Sequence, residues 1–379
     1  MQPDSGLKTL QTPALLLDEA KMNANISWLA AHAQTLGVSL RPHLKTAKSV
    51  DVARRVLTGG NGPATVSTLA EAEVFAAAGI RDILYAVGIA PQKLDRVLAL
   101  RAGGCDLTII LDSEEQAAAV ATASAKIGAP IPALIEIDSD SHRGGVRPDD
   151  VALLSIARIL DGCGSLRGVL THAGESYNVA GVDAHAGFAE TERSATVAAA
   201  DRLKAAGLPC PIVSVGSTPT AHAARDLTGV TELRAGVYVF FDLVMAGIGV
   251  CTPEDIAISV LTTVIGHQKA RGWILIDAGW MAMSRDRGTA PQKIDQGYGL
   301  VCDQNGMIIP DLIVSQANQE HGVIKVRAGA SGTLPDLPVG TLLRVLPNHA
   351  CATAAQYDRY HVISAENGSL AEWPRFGGW

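Results

Sequence analysis

The chain has 379 residues, of which 47% are apolar and only 18% charged, so it can bury a large hydrophobic core. Its formal net charge of -7 argues against a nucleic-acid or anionic-membrane partner, because either would require a clustered basic surface. At this length we predict one large domain and one smaller domain.

The sequence shows no secretory signal and no membrane span. Its first residues hold no basic segment followed by an apolar run. No uninterrupted apolar stretch approaches the roughly 18 residues that suggest a membrane span. The six cysteines are scattered and include no CxxC pair, which is typical of free thiols in a reducing compartment. We therefore predict a cytoplasmic protein.

Apolar segments of strand length alternate with alanine-rich helical segments over the first two thirds of the chain. This alternation predicts an α/β fold with parallel strands and crossover helices. Eight such strands would close a (β/α)8, or TIM, barrel, and a doubly wound open sheet is the alternative. The predicted strands lie near residues 38–42, 64–67, 82–87, 106–111, 132–138, 166–171, 211–215 and 232–235. The predicted helices, which often begin at Ser, Asp or Pro and end before Gly, are 69–78, 91–102, 113–127, 149–160 and 183–206.

The pattern changes after about residue 245. Short β-type segments, separated by Gly, Pro, Asp and Asn, replace the helical periodicity and predict a second, C-terminal β-rich domain. We assign residues 15–247 to the barrel domain and residues 1–14 and 248–379 to the β-rich domain. The predicted strands of the latter are 256–267, 273–277, 307–315, 322–326, 341–346 and 359–363.

One lysine and two groups of small residues follow predicted barrel strands. The loops after the strands form the active face of such barrels, and Lys45 follows the first strand. Gly216, Ser217 and Thr218 follow the seventh strand and Gly236 follows the eighth, where these barrels commonly bind phosphate. Glycines that only form tight turns are the alternative.

A lysine beside a phosphate site has two chemical interpretations. It neutralises the phosphate, or its amine forms a Schiff base with pyridoxal phosphate. Cations near a Schiff-base lysine depress the pKa of its amine, and Arg41, His43 and Lys48 are near Lys45 in sequence. The local motif does not decide between these roles and a solvated lysine.

Two metal-binding side chains, His349 and Cys351, stand at positions i and i+2 near the end of the chain. On an extended segment they would point the same way, and imidazole with thiolate suits zinc. A structural histidine near a buried cysteine is the alternative. His321 is a candidate further ligand. Arg285 and Arg287 are candidates for clamping a carboxylate, with a solvated loop as the alternative.

Nine short motifs together form a specific set. They are Thr12-Pro13-Ala14, Arg41-Pro42-His43-x-Lys45-Thr46, Glu136-Ile137-Asp138, Arg143-x-Gly145-Val146, Gly216-Ser217-Thr218-Pro219, Glu232-Leu233-Arg234-Ala235-Gly236, Asp277-Ala278-Gly279, Glu320-His321-Gly322 and Pro347-x-His349-x-Cys351. Through them the chain resembles, essentially end to end, the D-serine dehydratase/D-threonine aldolase family of pyridoxal-phosphate enzymes. That family has the alanine-racemase-like fold, also called fold type III.

Within that family the chain is most similar to the bacterial D-threo-3-hydroxyaspartate dehydratases. The similarity is carried by the segments 170–174, 280–288 and 348–353. Aldolase members typically have Tyr-His-Gly where this chain has His172-Ala173-Gly174, and Asp where it has Cys351. These departures disfavour aldol cleavage.

The resemblance implies a set of cofactor-binding residues. Lys45 would hold pyridoxal 5′-phosphate through a Schiff base, and Arg143 would lie near the pyridine ring. The phosphate group would be surrounded by Gly216, Ser217, Thr218, Gly236 and Val237. The pocket would also be lined by His172, Tyr177 and Tyr238, of which His172 is a candidate catalytic residue.

The resemblance also implies a reaction and an assembly. His349 and Cys351 would bind a divalent metal, expected to be zinc, with magnesium or manganese as alternatives. Lys45 would remove the α-proton of a D-3-hydroxy amino acid and the metal would draw off its β-hydroxyl. D-threo-3-hydroxyaspartate would give oxaloacetate and ammonia, and D-serine would give pyruvate and ammonia. Retro-aldol cleavage and a non-catalytic carrier of the cofactor are the alternatives. A homodimer is expected.

Overall fold

The computed structural model describes residues 6–57 and 59–379. The packing of the chain divides it into two compact units. The first is Trp28–Gly236 with Gly378–Trp379, and the second is the described chain up to Ser27 with Val237–Gly377. No helix in the described part of the chain has the length and apolar character to cross a membrane.

Strands and helices alternate in the first unit, and strands dominate the second. In chain order, strands β1 to β17 are Ala14–Asp18, Ser39–Leu40, Ala64–Val66, Asp82–Gly88, Asp106–Leu111, Ala133–Ile137, Leu166–Thr171, Ile212–Val215, Glu232–Leu233, Ile258–Gln268, Trp273–Ile276, Leu300–Asp303, Ile308–Ala317, Gly322–Val326, Leu342–Leu346, Arg359–Ile363 and Leu370–Pro374. Helices α1 to α11 are Glu19–Thr35, Val50–Val56, Leu69–Ala77, Leu94–Ala102, Glu114–Ile127, Val151–Gly162, Val182–Ala205, Thr218–Ala223, Leu243–Gly247, Trp280–Met283 and Ala350–Ala354.

The first unit is built on a parallel barrel. Strands β2 to β9 pair in the order β2-β9-β8-β7-β6-β5-β4-β3, and all of these pairings are parallel. The two ends of the sheet meet through a parallel bridge between His43 and Thr65. The N–H of Leu44 donates to the carbonyl oxygen of Thr65 over 2.8 Å at the same place. The eight predicted strands are confirmed, and the sheet closes rather than staying open.

Side-chain caps explain where the barrel helices begin. The hydroxyl of Thr68 accepts from the N–H of Glu71 at the start of α3, and Ser113 does the same for the N–H of Gln116 in α5. Such caps satisfy N–H groups that have no partner within the helix. Helix α5 ends at Gly128, whose φ of 66° is left-handed. The five predicted helices agree with the structure to within a few residues at most of their ends.

The second unit is a nine-stranded sheet in the order β11-β14-β13-β12-β15-β10-β1-β16-β17. Strand β11 also pairs with β10, so six antiparallel strands close a small barrel. The predicted β-rich character is confirmed, although β12 and β17 were not predicted. Strand β1 falls almost entirely within the range 15–247 predicted for the parallel barrel, yet its main chain bonds to β10 and β16.

A buried arginine spans the line at which the parallel barrel closes. Arg41 follows β2 and donates from Nε to Glu232 on β9 over 2.8 Å, and from Nη1 to Asp82 on β4 over 2.7 Å. Burial acts to lower the pKa of Arg41, but the two carboxylates raise it above its ordinary value. The guanidinium therefore stays charged and joins strands on both sides of the closure.

We expect Arg41→Met to lower the free energy of unfolding by about 3–5 kcal/mol, because Glu232 would be left buried without its cation. The matched control is Arg96→Met, which breaks an exposed pair with Glu73 of 2.9 Å. The control substitution should lower the free energy of unfolding by less than about 1 kcal/mol. Urea unfolding measures both variants, and equal effects would contradict the role assigned to Arg41.

Candidate active site

Lys45 lies in the loop that follows β2, with an exposed side chain. Its N–H donates to Nδ1 of His43 over 3.4 Å. Gly236, which follows β9, packs against the same loop, since a Cβ on it would lie 3.2 Å from the Cβ of His43. The loops after β2 and β9 are therefore in close contact, and a side chain at position 236 would require His43 to shift.

The three sequence neighbours of Lys45 named above differ in charge and in partners. Arg41 is neutralised by two carboxylates, and Lys48 forms a salt bridge of 3.2 Å with Glu71. Desolvation, and then nearby positive charges, hold the pKa of His43 well below its ordinary value, so this imidazole is neutral at pH 7. Of these three residues, Arg41 and Lys48 are cations that are each paired with a carboxylate, and His43 is neutral.

His172 follows β7 and is held by the loop after β8. Its Nδ1 lies 3.1 Å from the carbonyl oxygen of Gly216. Because a carbonyl oxygen only accepts, Nδ1 carries the proton and Nε2 is left as an acceptor. Burial, only partly opposed by this hydrogen bond, lowers the pKa of His172 to about 3, and the charges of Lys45 and Arg143 add to the shift. The ring of Tyr177 lies 6.2 Å from the imidazole between centroids.

Two arginines lower the pKa of His172 by their positive charge, and they differ in exposure. Arg143 is exposed, and its Nη2 lies 3.5 Å from Oε1 of Glu136. Arg234 is buried and donates to the hydroxyl of Ser214 and the carbonyl oxygen of Thr171. The structure thus brings Lys45, Arg143 and His172 together, and it adds Arg234. The sequence offered one signal for Arg234, namely an arginine at the end of the last barrel strand.

Gly216 shapes the loop after β8. Its φ of 137° is in a region that favours glycine, and a Cβ on it would collide with the backbone of Arg234. Its N–H donates to Oε1 of Glu192 over 2.9 Å. Gly216 therefore allows the loop after β8 to pack closely against the backbone of Arg234, and its N–H is already used.

Ser217 and Thr218 have different tasks at the start of α8. The buried hydroxyl of Ser217 caps the helix by accepting from the N–H of Thr220 over 3.2 Å. Thr218 is buried, and its Oγ1 has no hydrogen-bond partner among the described residues. A buried hydroxyl without a partner is costly, so a ligand oxygen is expected there. This unsatisfied donor fits the phosphate group of pyridoxal phosphate.

A buried carboxylate on α7 joins two loops of the active face. Oε1 of Glu192 accepts from the N–H groups of Ala173 and Gly216, over 3.0 and 2.9 Å. Burial raises the pKa of Glu192, and the hydrogen bonds act in the opposite direction without cancelling the rise. Glu192 thereby fixes Ala173, the residue after His172, against the loop after β8. Its position within a long helix gave no signal in the sequence.

Val237 and Tyr238 belong to the second unit. They begin a short 3₁₀ turn, Val237–Val239, and both side chains are buried. Burial raises the pKa of the Tyr238 hydroxyl above its usual range. Val237 directly follows Gly236 in the chain, and its assignment to the phosphate stays a prediction.

His349 and Cys351 are the candidate metal ligands of the second unit. His349 is extended, with φ of -135° and ψ of 109°, but Cys351 already lies in α11. The argument from an extended i, i+2 segment is therefore wrong for Cys351. Their side chains nevertheless meet, since a hydrogen bond that His349 donates to Cys351 helps to raise the pKa of the imidazole.

The charges around His349 fit a cation. Burial lowers the pKa of His349, but hydrogen bonds to Asp286 and Cys351 raise it to about 11. Groups that favour a charged imidazole also favour a metal cation bound to it. Among the described residues, no group of three or more His, Cys, Asp or Glu side chains is arranged to hold a metal. His321 thus does not join the pair in a larger ligand group.

The neutral state of His172 predicts a pH dependence. Below about pH 6.5 the unfolded chain binds a proton at this imidazole, while the folded protein resists it down to a pKa of about 3. The free energy of unfolding should therefore decrease as the pH is lowered through this window, by at most about 1.4 kcal/mol per pH unit for this group. His172→Gln keeps a donor for Gly216 but binds no proton. Its deficit relative to the unmodified protein should shrink between about pH 7.5 and pH 5 in urea unfolding. A constant deficit would refute the assignment.

Two family matches cover most of the chain. Residues 17–244 match the alanine racemase N-terminal domain family, and residues 257–363 match the putative serine dehydratase domain family.

Individual proteins match over almost the full length. The chain is 54% identical to the D-threo-3-hydroxyaspartate dehydratase of Delftia sp., over 98% of this chain and 99% of that protein. The structure of that enzyme has a TM-score of 0.96 and covers 99% of this chain and 100% of that one. A cysteine-to-alanine mutant of a D-threo-3-hydroxyaspartate dehydratase in a metal-free form is 53% identical, with a TM-score of 0.96, over 99% of this chain and 100% of that one. The D-serine dehydratase of Dictyostelium discoideum is 28% identical over 95% of each chain.

Proposed function

The chain belongs to the alanine-racemase-like family of D-serine and D-3-hydroxyaspartate dehydratases, which are pyridoxal-phosphate-dependent lyases, and we propose that it eliminates the β-hydroxyl of D-threo-3-hydroxyaspartate. The products are oxaloacetate and ammonia, and D-serine is a second substrate that gives pyruvate and ammonia. The observation that supports this most is identity of 54% over 98% of the chain with an enzyme of that activity.

The residues of the first unit support the cofactor part of this proposal. Bound pyridoxal phosphate supplies the electron sink for negative charge at the α-carbon. Lys45 anchors the cofactor, and its amine takes the α-proton. The hydroxyl of Thr218 holds the phosphate, in a loop whose path depends on Gly216. Neutral His172 offers Nε2 as an acceptor that orients a hydroxyl or amine of the substrate.

The residues of the second unit support the metal part. A divalent metal at His349 and Cys351 supplies a Lewis acid for the departing β-hydroxyl, which is otherwise a poor leaving group. Imidazole and thiolate favour zinc over magnesium. Two protein ligands leave positions open for water and substrate. A homodimer and a cytoplasmic location remain predictions from the sequence.

The protein loaded with pyridoxal phosphate and Zn²⁺ should release ammonia and oxaloacetate from D-threo-3-hydroxyaspartate. EDTA should abolish the release and Zn²⁺ should restore it. Lys45→Ala should lower kcat by about 10²–10⁴-fold or more, because it removes both the anchor and the base. Cys351→Ala should lower kcat and should no longer respond fully to added Zn²⁺. Coupled assays for ammonia and for 2-oxo acids measure all four outcomes.

D-threonine separates the proposal from its alternatives. Release of 2-oxobutanoate and ammonia supports the dehydratase, whereas glycine and acetaldehyde would identify an aldolase. Bound cofactor without turnover of any D-amino acid, with or without metal, would instead identify a carrier.

The second carboxylate of 3-hydroxyaspartate needs a cationic partner, and Arg285 suits this better than Arg287. Arg287 already pairs with Asp295 over 2.7 Å. The guanidinium of Arg285 lies 4.0 Å from the ring centroid of Trp280, and no carboxylate pairs with it in the described part of the chain. We therefore assign the substrate carboxylate to Arg285.

Arg285→Met should lower kcat/KM for 3-hydroxyaspartate by about 10–100-fold. This is the loss expected when a hydrogen bond to a charged group is removed. D-serine lacks the second carboxylate, so its kcat/KM should change little. The matched control is Arg271→Met, since Arg271 also lies over a tryptophan, Trp273, at 4.9 Å. A selective loss in Arg287→Met would move the assignment to that residue. An unchanged preference in both the Arg285 and the Arg287 variant would reject it.

A further inference from the structure

Asp286 contacts the candidate metal ligand His349 directly. Its Oδ2 lies 2.6 Å from Nδ1 of the imidazole. Because a carboxylate accepts, Nδ1 keeps its proton, and Nε2 is the nitrogen that gives up its proton when a metal binds. We propose that Asp286 is a positioning residue that fixes the tautomer and the ring orientation of His349 for metal binding. This inference rests on the metal site of the proposed function.

Asp286 is itself held at three further points. Its Oδ1 accepts from the N–H of Gly288 over 2.8 Å, and its own N–H donates to the hydroxyl of Ser284 over 3.2 Å. Its carbonyl oxygen accepts from Nδ2 of Asn348 over 3.1 Å. Both carboxylate oxygens are thus engaged within the protein. Asp286 orients a ligand and is not arranged as a third ligand, which agrees with the lack of any group of three metal-binding side chains among the described residues.

Asn348 locks the two segments together. It is buried, directly precedes His349, and donates from Nδ2 to the carbonyl oxygens of Asp286 and Gly297. Its Oδ1 accepts from the hydroxyl of Thr289 over 3.0 Å. All the hydrogen-bonding atoms of this side-chain amide are used to hold the loop of Asp286 against the segment of His349. The imidazole therefore has one favoured orientation before any metal arrives.

A carboxylate has two effects in this position. It limits the rotation of the imidazole, and it increases the basicity of the nitrogen that faces the metal. Loss of such a partner typically weakens metal binding by about 10–100-fold. The amide of Asn at the same position could still accept the hydrogen bond but carries no charge, so Asp286→Asn isolates the charge and Asp286→Ala removes both effects.

The test measures metal affinity directly and does not depend on turnover. The protein is loaded with pyridoxal phosphate, stripped with EDTA and titrated with Zn²⁺ against a chromophoric chelator. Asp286→Ala should bind Zn²⁺ about 10–100-fold more weakly than the unmodified protein, with Asp286→Asn between the two. Asp358→Asn, which breaks an exposed pair with Arg359 in the same unit, should bind normally. Titration with Co²⁺ should show a shifted absorption band in both Asp286 variants, since the imidazole is no longer fixed.

The outcomes separate this inference from the function on which it rests. Normal Zn²⁺ affinity and an unchanged Co²⁺ band in Asp286→Ala would overturn the positioning role and leave the metal site standing. If the unmodified protein binds neither metal more tightly than His349→Ala does, the metal site and this inference fail together. Circular dichroism checks that each variant is folded. If Asp286→Ala does not fold, the isosteric Asp286→Asn decides the question.

Discussion

The closure of the parallel barrel at Arg41 is the constraint on which the proposed cofactor-binding residues of the first unit depend. The guanidinium pairs with Glu232 on β9, 191 positions away, and with Asp82 on β4, so strands on both sides of the closure are held together. The His43–Thr65 bridge completes the closure two residues before Lys45. The position of the lysine is therefore set by main-chain bonding of the barrel, although its own side chain is exposed. The backbone at Lys45 has little freedom to move, because it lies next to the packed closure of the barrel.

The electrostatics of the first unit differ from those of a simple cluster of cations. Two imidazoles beside Lys45, those of His43 and His172, are neutral because desolvation outweighs the interactions that would charge them. The buried carboxylate of Glu192 uses its hydrogen bonds to hold backbone N–H groups rather than to bind a cation. The two imidazoles and Glu192 therefore contribute through hydrogen bonds and not through a net positive charge. The positive charges near His172 are those of Lys45, Arg143 and Arg234.

In the second unit, one loop serves two proposed purposes. Asp286 orients the metal ligand His349, and the preceding residue, Arg285, is the candidate partner for a substrate carboxylate. The loop is held in place by Asn348, next to His349 in sequence. Substrate choice and metal binding would thus share a single rigid support. A rigid support is what a site needs when a departing hydroxyl and a fixed Lewis acid must meet with little reorganisation.

The sequence alone determined the eight alternating strands, the β-rich second half, the helix caps and the motifs that contain Lys45, Thr218 and His349. These features depend on neighbours along the chain, within one turn of helix or one strand. Tertiary structure decided the rest. The pairing of β1 with β10, the neutral state of His172 and the contact between Asp286 and His349, 63 positions apart, arise only when distant segments meet. Burial and hydrogen-bond partners set the charge and orientation of a side chain, and no local pattern encodes them.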